Sequence, residues 1–219
     1  MCARCLKSVI LGLAVALVAM MPISLVAQVE ESATGAIEAR SRWNVFVGYS
    51  YLSPHGTVNT PLLHGVVLPV NFVDVSTGGI LSVARYFNRS IGLEMVLDTH
   101  LENEGQTSPT GAWVVPRDDF SGGGLGLIAR FPSGRITPFV HALGGADYVG
   151  GPHWNANRTD KLGPMVTAGG GLDLKLSHHI SIRLFQADYQ YVYVNWGTGY
   201  QGGIGEPNIA RLSAGVVIQ

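Results

Sequence analysis

A serine that performs acyl transfer needs a base within hydrogen-bond reach and an acid to orient that base. The bases on offer are His55, His64, His100, His141, His153, His178 and His179. None stands two residues from a serine on a predicted strand face, and the adjacent Ser177-His178-His179 falls in a tight turn. Metal binding has no better start. His178 and His179 are neighbours on a turn and seldom point at one ion, while His55 and His64 share a loop without a nearby carboxylate. Cys2 and Cys5 have metal-like spacing but precede an apolar leader, and no cysteine follows them. The remaining chain therefore has no disulfide, thiolate site or cysteine nucleophile. Gly122-Gly123-Gly124-x-Gly126 and Gly169-Gly170-Gly171 lack the Lys-Ser/Thr and the helix start that a phosphate loop requires. These residues predict a protein that is not an enzyme and carries no metal or cofactor.

A second set of residues has a clearer pattern. Glu94, Asp98, Arg130, Asp147, Asp173, Lys175, Arg183, Asp188 and Arg211 all fall on the polar face of segments that alternate polar and apolar. Alternation is the period of a strand with two different sides. Val166, Ala168, Gly170, Leu172, Leu174 and Leu176 oppose Thr167, Gly169, Gly171, Asp173 and Lys175. Ile91–Leu101 and Ala210–Ile218 repeat the pattern, and Trp43–Leu52, Val75–Phe87, Phe120–Phe131, Ile136–Val149 and Ile180–Val194 complete a set of eight strands. In Ile180–Val194 the phase slips at Leu184-Phe185, which predicts a β-bulge, since one extra residue re-aims the side chains that follow.

The connections alternate in length. Asn88–Ser90, Pro132–Arg135 and Ser177–His179 are tight, whereas Ser53–Asp74, Glu102–Asp119, Gly150–Gly163 and Asn195–Pro207 are long. Short periplasmic turns and long outer loops are the plan of a transmembrane β-barrel. The polar face is rich in glycine and bears the charges; the other face is almost free of charge, unlike a soluble exterior. Polar residues therefore line the lumen and apolar ones face lipid. A soluble ligand-binding barrel, apolar inside, is the rival arrangement. Tyr49, Tyr51, Tyr148, Tyr189, Tyr191, Tyr193 and Trp196 precede long loops, as an interfacial aromatic girdle would.

The ends and the charge agree with export. Arg4 and Lys7 precede the apolar run Ser8–Met21, Pro22 follows, and Ala27 offers a small residue, so residues 1–27 are predicted to be a cleaved signal peptide. Residues 28–41 would then be a periplasmic segment and 42–219 the barrel. Removing the leader leaves 12 bases against 15 acids, a balance that gives no case for nucleic acid.

Phe46-Val47-Gly48-Tyr49-Ser50-Tyr51 in the first strand and Arg211-Leu212-Ser213-Ala214-Gly215-Val216 in the last resemble the small barrels of the outer-membrane protein A and opacity-antigen type. The chain departs from that group in ending on Ile218-Gln219 rather than on an aromatic residue, and in carrying no peptidoglycan-binding domain. The resemblance implies an all-β, eight-stranded antiparallel up-and-down barrel in the bacterial outer membrane. Its partners would be outer-membrane lipid and lipopolysaccharide, with an extracellular ligand at the long loops, in a monomer. Eight strands leave an interior that side chains can fill, and five acids beside four bases predict ion pairs there, because an unpaired buried charge is costly. A structural, surface-display role with a plugged lumen follows. The alternatives are a narrow gated channel, opened when a lumen pair exchanges partners, and an enzyme acting on lipid A. The first loop's Leu62, Leu63, Val66, Val67 and Leu68 fit either adhesion or packing over the barrel mouth.

Overall fold

The computed structural model describes residues 42–61, 67–101, 119–150, 161–197 and 203–219. The predicted signal peptide, the segment 28–41, and the loop residues His64, His153 and Trp154 lie outside them. Twelve strands form: β1 (Trp43–His55), β2 (Thr57–Pro61), β3 (Val67–Asn71), β4 (Gly78–Tyr86), β5 (Ile91–His100), β6 (Phe120–Arg130), β7 (Ile136–Val149), β8 (Lys161–Lys175), β9 (Ile180–Val192), β10 (Val194–Asn195), β11 (Ile204–Gly205) and β12 (Asn208–Ile218). Eight of them close a barrel in the order β1-β12-β9-β8-β7-β6-β5-β4. Every neighbour is antiparallel, and β1 seals the ring by pairing with both β12 and β4.

The eight barrel strands are those that the alternation predicts. Three boundaries move by three residues or more. The first strand runs on to His55, the strand predicted to begin at Val75 begins at Gly78, and β8 begins at Lys161 instead of Val166. Four short strands within the long loops escape alternation altogether. β2 pairs with β3 and β10 with β11, each as a two-stranded ladder. The bulge falls where the phase slip puts it. Leu172 pairs with Phe185 but Asp173 with Arg183, so Leu184 is the extra residue, and Leu184 and Phe185 both point outward.

The barrel is inside out by the standard of a soluble protein. Leu127, Val166 and Leu125 on the outer wall are 60%, 59% and 54% exposed, while Glu94 and Asp147 inside are 0% exposed. A continuous exposed apolar wall is stable only against another apolar phase, and closure leaves no unpaired strand edge to meet lipid. The soluble rival therefore fails. No helix among the described residues is long and apolar enough to cross a membrane; the strands do the crossing.

Glycine makes the narrow interior habitable. Each of four lumen carboxylates stands beside a glycine on a neighbouring strand: Glu94 beside Gly126, Asp98 beside Gly122, Asp147 beside Gly122 and Gly163, Asp188 beside Gly169. A Cβ at Gly169 would sit 2.1 Å from Asp188 Oδ1, so any other residue there would displace the carboxylate.

Candidate functional site

The lumen holds a connected chain of buried polar side chains. Toward the tight turns, Arg183 donates through Nε and Nη2 to the two oxygens of Asp173 at 2.8 and 3.2 Å, and through Nη1 to Gln186 Oε1 at 2.7 Å. Its guanidinium lies between the rings of Phe46 and Phe139, 4.2 and 4.0 Å from their centroids. Gln186 passes the chain on, Nε2 donating to Asp188 Oδ2 at 2.7 Å. The bulge makes this possible by keeping both Arg183 and Gln186 inward across an odd spacing.

Asp188 is the hub. Arg211, its cross-strand neighbour on β12, donates to Asp188 Oδ2 through Nε and Nη2 at 3.0 and 2.8 Å. Its remaining Nη1 reaches Asp98 Oδ1 on the opposite wall at 2.8 Å. His141 stands between Glu94 and Asp188, with Nδ1 2.6 Å from Glu94 Oε2 and Nε2 2.9 Å from Asp188 Oδ1. Both ring nitrogens thus face carboxylate oxygens, so at least two protons shared among the three groups are needed to satisfy both contacts. Charge-assisted bonds of this kind are about twice as strong as neutral ones.

Of the nine residues singled out in the sequence, seven lie in or beside this network, and two are placed elsewhere. Glu94, Asp98, Asp173, Arg183, Asp188 and Arg211 join one network, and Asp147 is buried beside it, accepting from Gln190 Nε2 at 2.9 Å. Arg130 is buried but lies over the Tyr86 ring, 3.6 Å from its centroid, and its Nε donates to the Arg89 carbonyl. Lys175 is only half-buried at the tight-turn end of β8, where the strand runs out of the enclosed lumen. The missed members are His141, His100, Gln186 and Gln190. Histidine reads as neutral in a charge inventory, yet Glu94 finds its buried partner in His141 rather than in arginine. Strand phase was the usable signal, since His100 and His141 both occupy inward positions.

Above the network the chemistry changes. Leu52, Phe120, Met165, Val192 and Ile209 from the walls meet Val58, Phe72, Val75 and Val194 from the loop segments in one buried apolar cluster. A pair of backbone hydrogen bonds between Leu52 and Val75 ties the first loop down. Val58, Phe72 and Val75 of loop 1 therefore pack over the mouth; Leu62, Leu63 and Val66 and the side chains of Val67 and Leu68, on which the packing and adhesion readings rest, lie outside the described residues. Trp196 also packs against this cluster, so it is not a member of the girdle. At the outer rim Tyr49 bonds the Ser76 carbonyl, Tyr51 donates to Asp74 and Tyr189 bonds Asn208.

Two groupings of serine, histidine and aspartate appear that the sequence did not show. Inside, His100 Nε2 lies 2.9 Å from Ser50 Oγ and Nδ1 3.2 Å from Asp98 Oδ2. Ser50 and His100 are wholly enclosed, and Ser213 Oγ donates to the same Ser50 oxygen. Outside, the longer β1 places Ser53 two residues from His55 on one strand face. There Ser53 Oγ donates directly to Asp74 at 2.6 Å, and His55 Nδ1 faces the Ser53 carbonyl, not its hydroxyl. The base does not stand between nucleophile and acid, the order that activation needs. No group of three His, Cys, Asp or Glu side chains able to hold a metal occurs among the described residues.

A closed eight-stranded barrel with an apolar wall and buried charged side chains in its lumen defines a small outer-membrane β-barrel. No protein-family model and no curated protein matches the sequence. Solved structures do share the fold. The outer membrane protein AlkL, determined in DMPC lipid bilayers, is 17% identical over 86% of this chain and 94% of its own, with a TM-score of 0.56. The outer membrane protein OprG from Pseudomonas aeruginosa is 12% identical over 80% of this chain and 94% of its own, with a TM-score of 0.50. At these identities the likeness is one of architecture.

Proposed function

We propose that this barrel is a structural and surface-display component of the outer membrane, holding its loops outward above a lumen that is filled. The observation that carries this reading is the double closure of the interior. A polar chain from Asp173 through Arg183, Gln186, Asp188 and Arg211 to Asp98 crosses it, and the apolar cluster closes the loop end above. Lipid covers the wall, lipopolysaccharide meets the tyrosine rim, and any extracellular ligand engages the loops of a monomer. Planar-bilayer recording of the purified protein tests the filled lumen: no steady conductance is expected, and a persistent open level would overturn it.

A gated path is the second reading, favoured by the sharing of Arg211 between two carboxylates on opposite walls. Exchange of those partners is the structural change such a gate needs, and it would appear as brief openings that Arg211→Met alters. We read neither serine grouping as catalytic. A fluorophosphonate probe should leave the protein unlabelled, and labelling lost in Ser50→Ala or Ser53→Ala would establish a hydrolase instead.

A further inference from the structure

The tight-turn end carries a charge pattern that a filled lumen does not require. Phe87 and Ile91 border the first turn and Phe131 and Ile136 the second, all four widely exposed. Bases stand beside these borders: Arg85 and Arg89 at the first, Arg135 at the second, all exposed. Arg42 joins the first group, because its carbonyl accepts from the Tyr86 amide at 2.7 Å. No acidic side chain is exposed at this end among the described residues; Asp173 is buried and engaged by Arg183. The loop end differs: Asp74 and Glu206 are exposed there, as are His55 and Lys161.

Trp43 fixes the depth of this edge. It pairs in register with Arg85, whose guanidinium lies 5.3 Å from the indole centroid. A tryptophan on a barrel wall marks the level of the headgroups, and an arginine beside it can run its apolar stem along the wall while the guanidinium reaches water. Guanidinium recognises phosphate through paired donors, and bases at an anionic surface add attraction one by one.

We propose that Arg42, Arg85 and Arg89, set around Trp43, bind the phosphodiester headgroup of an anionic glycerophospholipid in the leaflet facing the tight turns. Arg135 supplies a second contact of the same kind, and the acyl chains lie on the apolar wall above. Phosphatidylglycerol matches the site; phosphatidylcholine does not, because its own trimethylammonium opposes the arginines. The inference rests on the barrel spanning a bilayer, which the heat-modifiable gel shift of the folded protein reports separately.

The test is to fold the purified protein into mixed phosphatidylcholine and phosphatidylglycerol vesicles and extract it with its bound lipid. The phosphatidylglycerol share retained is then compared with the share supplied. Enrichment is expected, falling by at least about tenfold in the Arg85→Gln, Arg89→Gln, Arg135→Gln triple variant, as the loss of several surface bases implies. The matching triple lysine variant should keep only the part of the enrichment that charge alone supplies, falling between the parent and the glutamine variant. These side chains are exposed, so both variants should show the same gel shift as the parent. No enrichment in the parent overturns the proposal. So does enrichment that the glutamine variant retains, since another part of the molecule would then carry it.

Discussion

The lumen is packed differently toward its two ends. Toward the tight turns and through the middle, charged side chains from facing walls meet at bonding distance among two small apolar clusters, and four of the carboxylates stand beside a glycine. Toward the loops, hydrocarbon fills the same width, and part of it comes from loop residues folded back over the mouth. A polar filling holds by direction and breaks when one partner goes. An apolar filling holds by area and yields gradually. The lower half should therefore govern whether the barrel forms, and the upper half whether its loops stay down.

Arg211→Leu is the largest test of that division. It strands Asp98 and Asp188 in an enclosed space without their shared cation. Breaking a buried pair from one side costs about 3–5 kcal/mol, and the guanidinium-chloride midpoint of the folded barrel should fall accordingly. Adding Asp98→Asn and Asp188→Asn to the same chain should recover much of the loss, because no unpaired charge remains. If the single variant is as stable as the parent, the network does not hold the lower half together.

Phe72→Ala probes the other half. Phe72 is 6% exposed and stacks at a tilt against Phe120, their centroids 5.8 Å apart. The loss should be about 3 kcal/mol, the low end for a buried phenylalanine, since the loop can settle into the space. It should also be local. Amide exchange should quicken over Val67–Val75 while β7–β9 stay protected, and no steady conductance should appear. A conducting Phe72→Ala barrel would mean that the apolar cluster is the seal and the polar network is not.

This asymmetry also explains what could be read from the sequence. The lower half was legible because Glu94, Asp98, Asp173, Arg183, Asp188 and Arg211 recur at strand period, and period fixes a side chain's face whatever its partner. The bulge was legible for the same reason, as a break in phase at Leu184-Phe185. The upper half was not, because Val58, Phe72 and Val75 owe their burial to the path of a loop, which has no period. His141 was missed differently: its position was readable, but nothing in strand phase says that its ring will stand between carboxylates from two other strands. Ser53 and His55 came to share a strand face only because pairing with β12 carries β1 past Leu52 to His55.

Gly169→Ala asks whether the room left by glycine matters as much as the charges it accommodates. The added methyl would meet Asp188 Oδ1 at 2.1 Å and the Ala187 carbonyl at 2.6 Å, and the backbone oxygen cannot swing aside. Overpacking of this kind costs about 1–3 kcal/mol, again read from the denaturation midpoint. Gly144→Ala is the control, with nothing within 4 Å of the new carbon; equal effects in the two would refute the steric account.

The smallest effect belongs to the rim where the two halves give way to solvent. Asp74 lies in the first loop, and its carboxyl is held below its ordinary value of 3.8 by the hydrogen bond from the Ser53 hydroxyl first and that from Tyr51 second. A carboxyl lowered by folding adds stability above its ordinary range and loses it as the pH falls through the lowered value. The tie between the rim and loop 1 should thus weaken only in acid, below the ordinary carboxylate range. Solvent screens a group this exposed, so the consequence is a titration shift more than a change in stability. In Ser53→Ala the carbon-13 titration of the Asp74 carboxyl should move back up toward 3.8, with the denaturation midpoint at neutral pH almost unchanged. If the titration stays where it was, the Ser53 hydroxyl does not hold the Asp74 carboxyl, and that tie between rim and loop is absent.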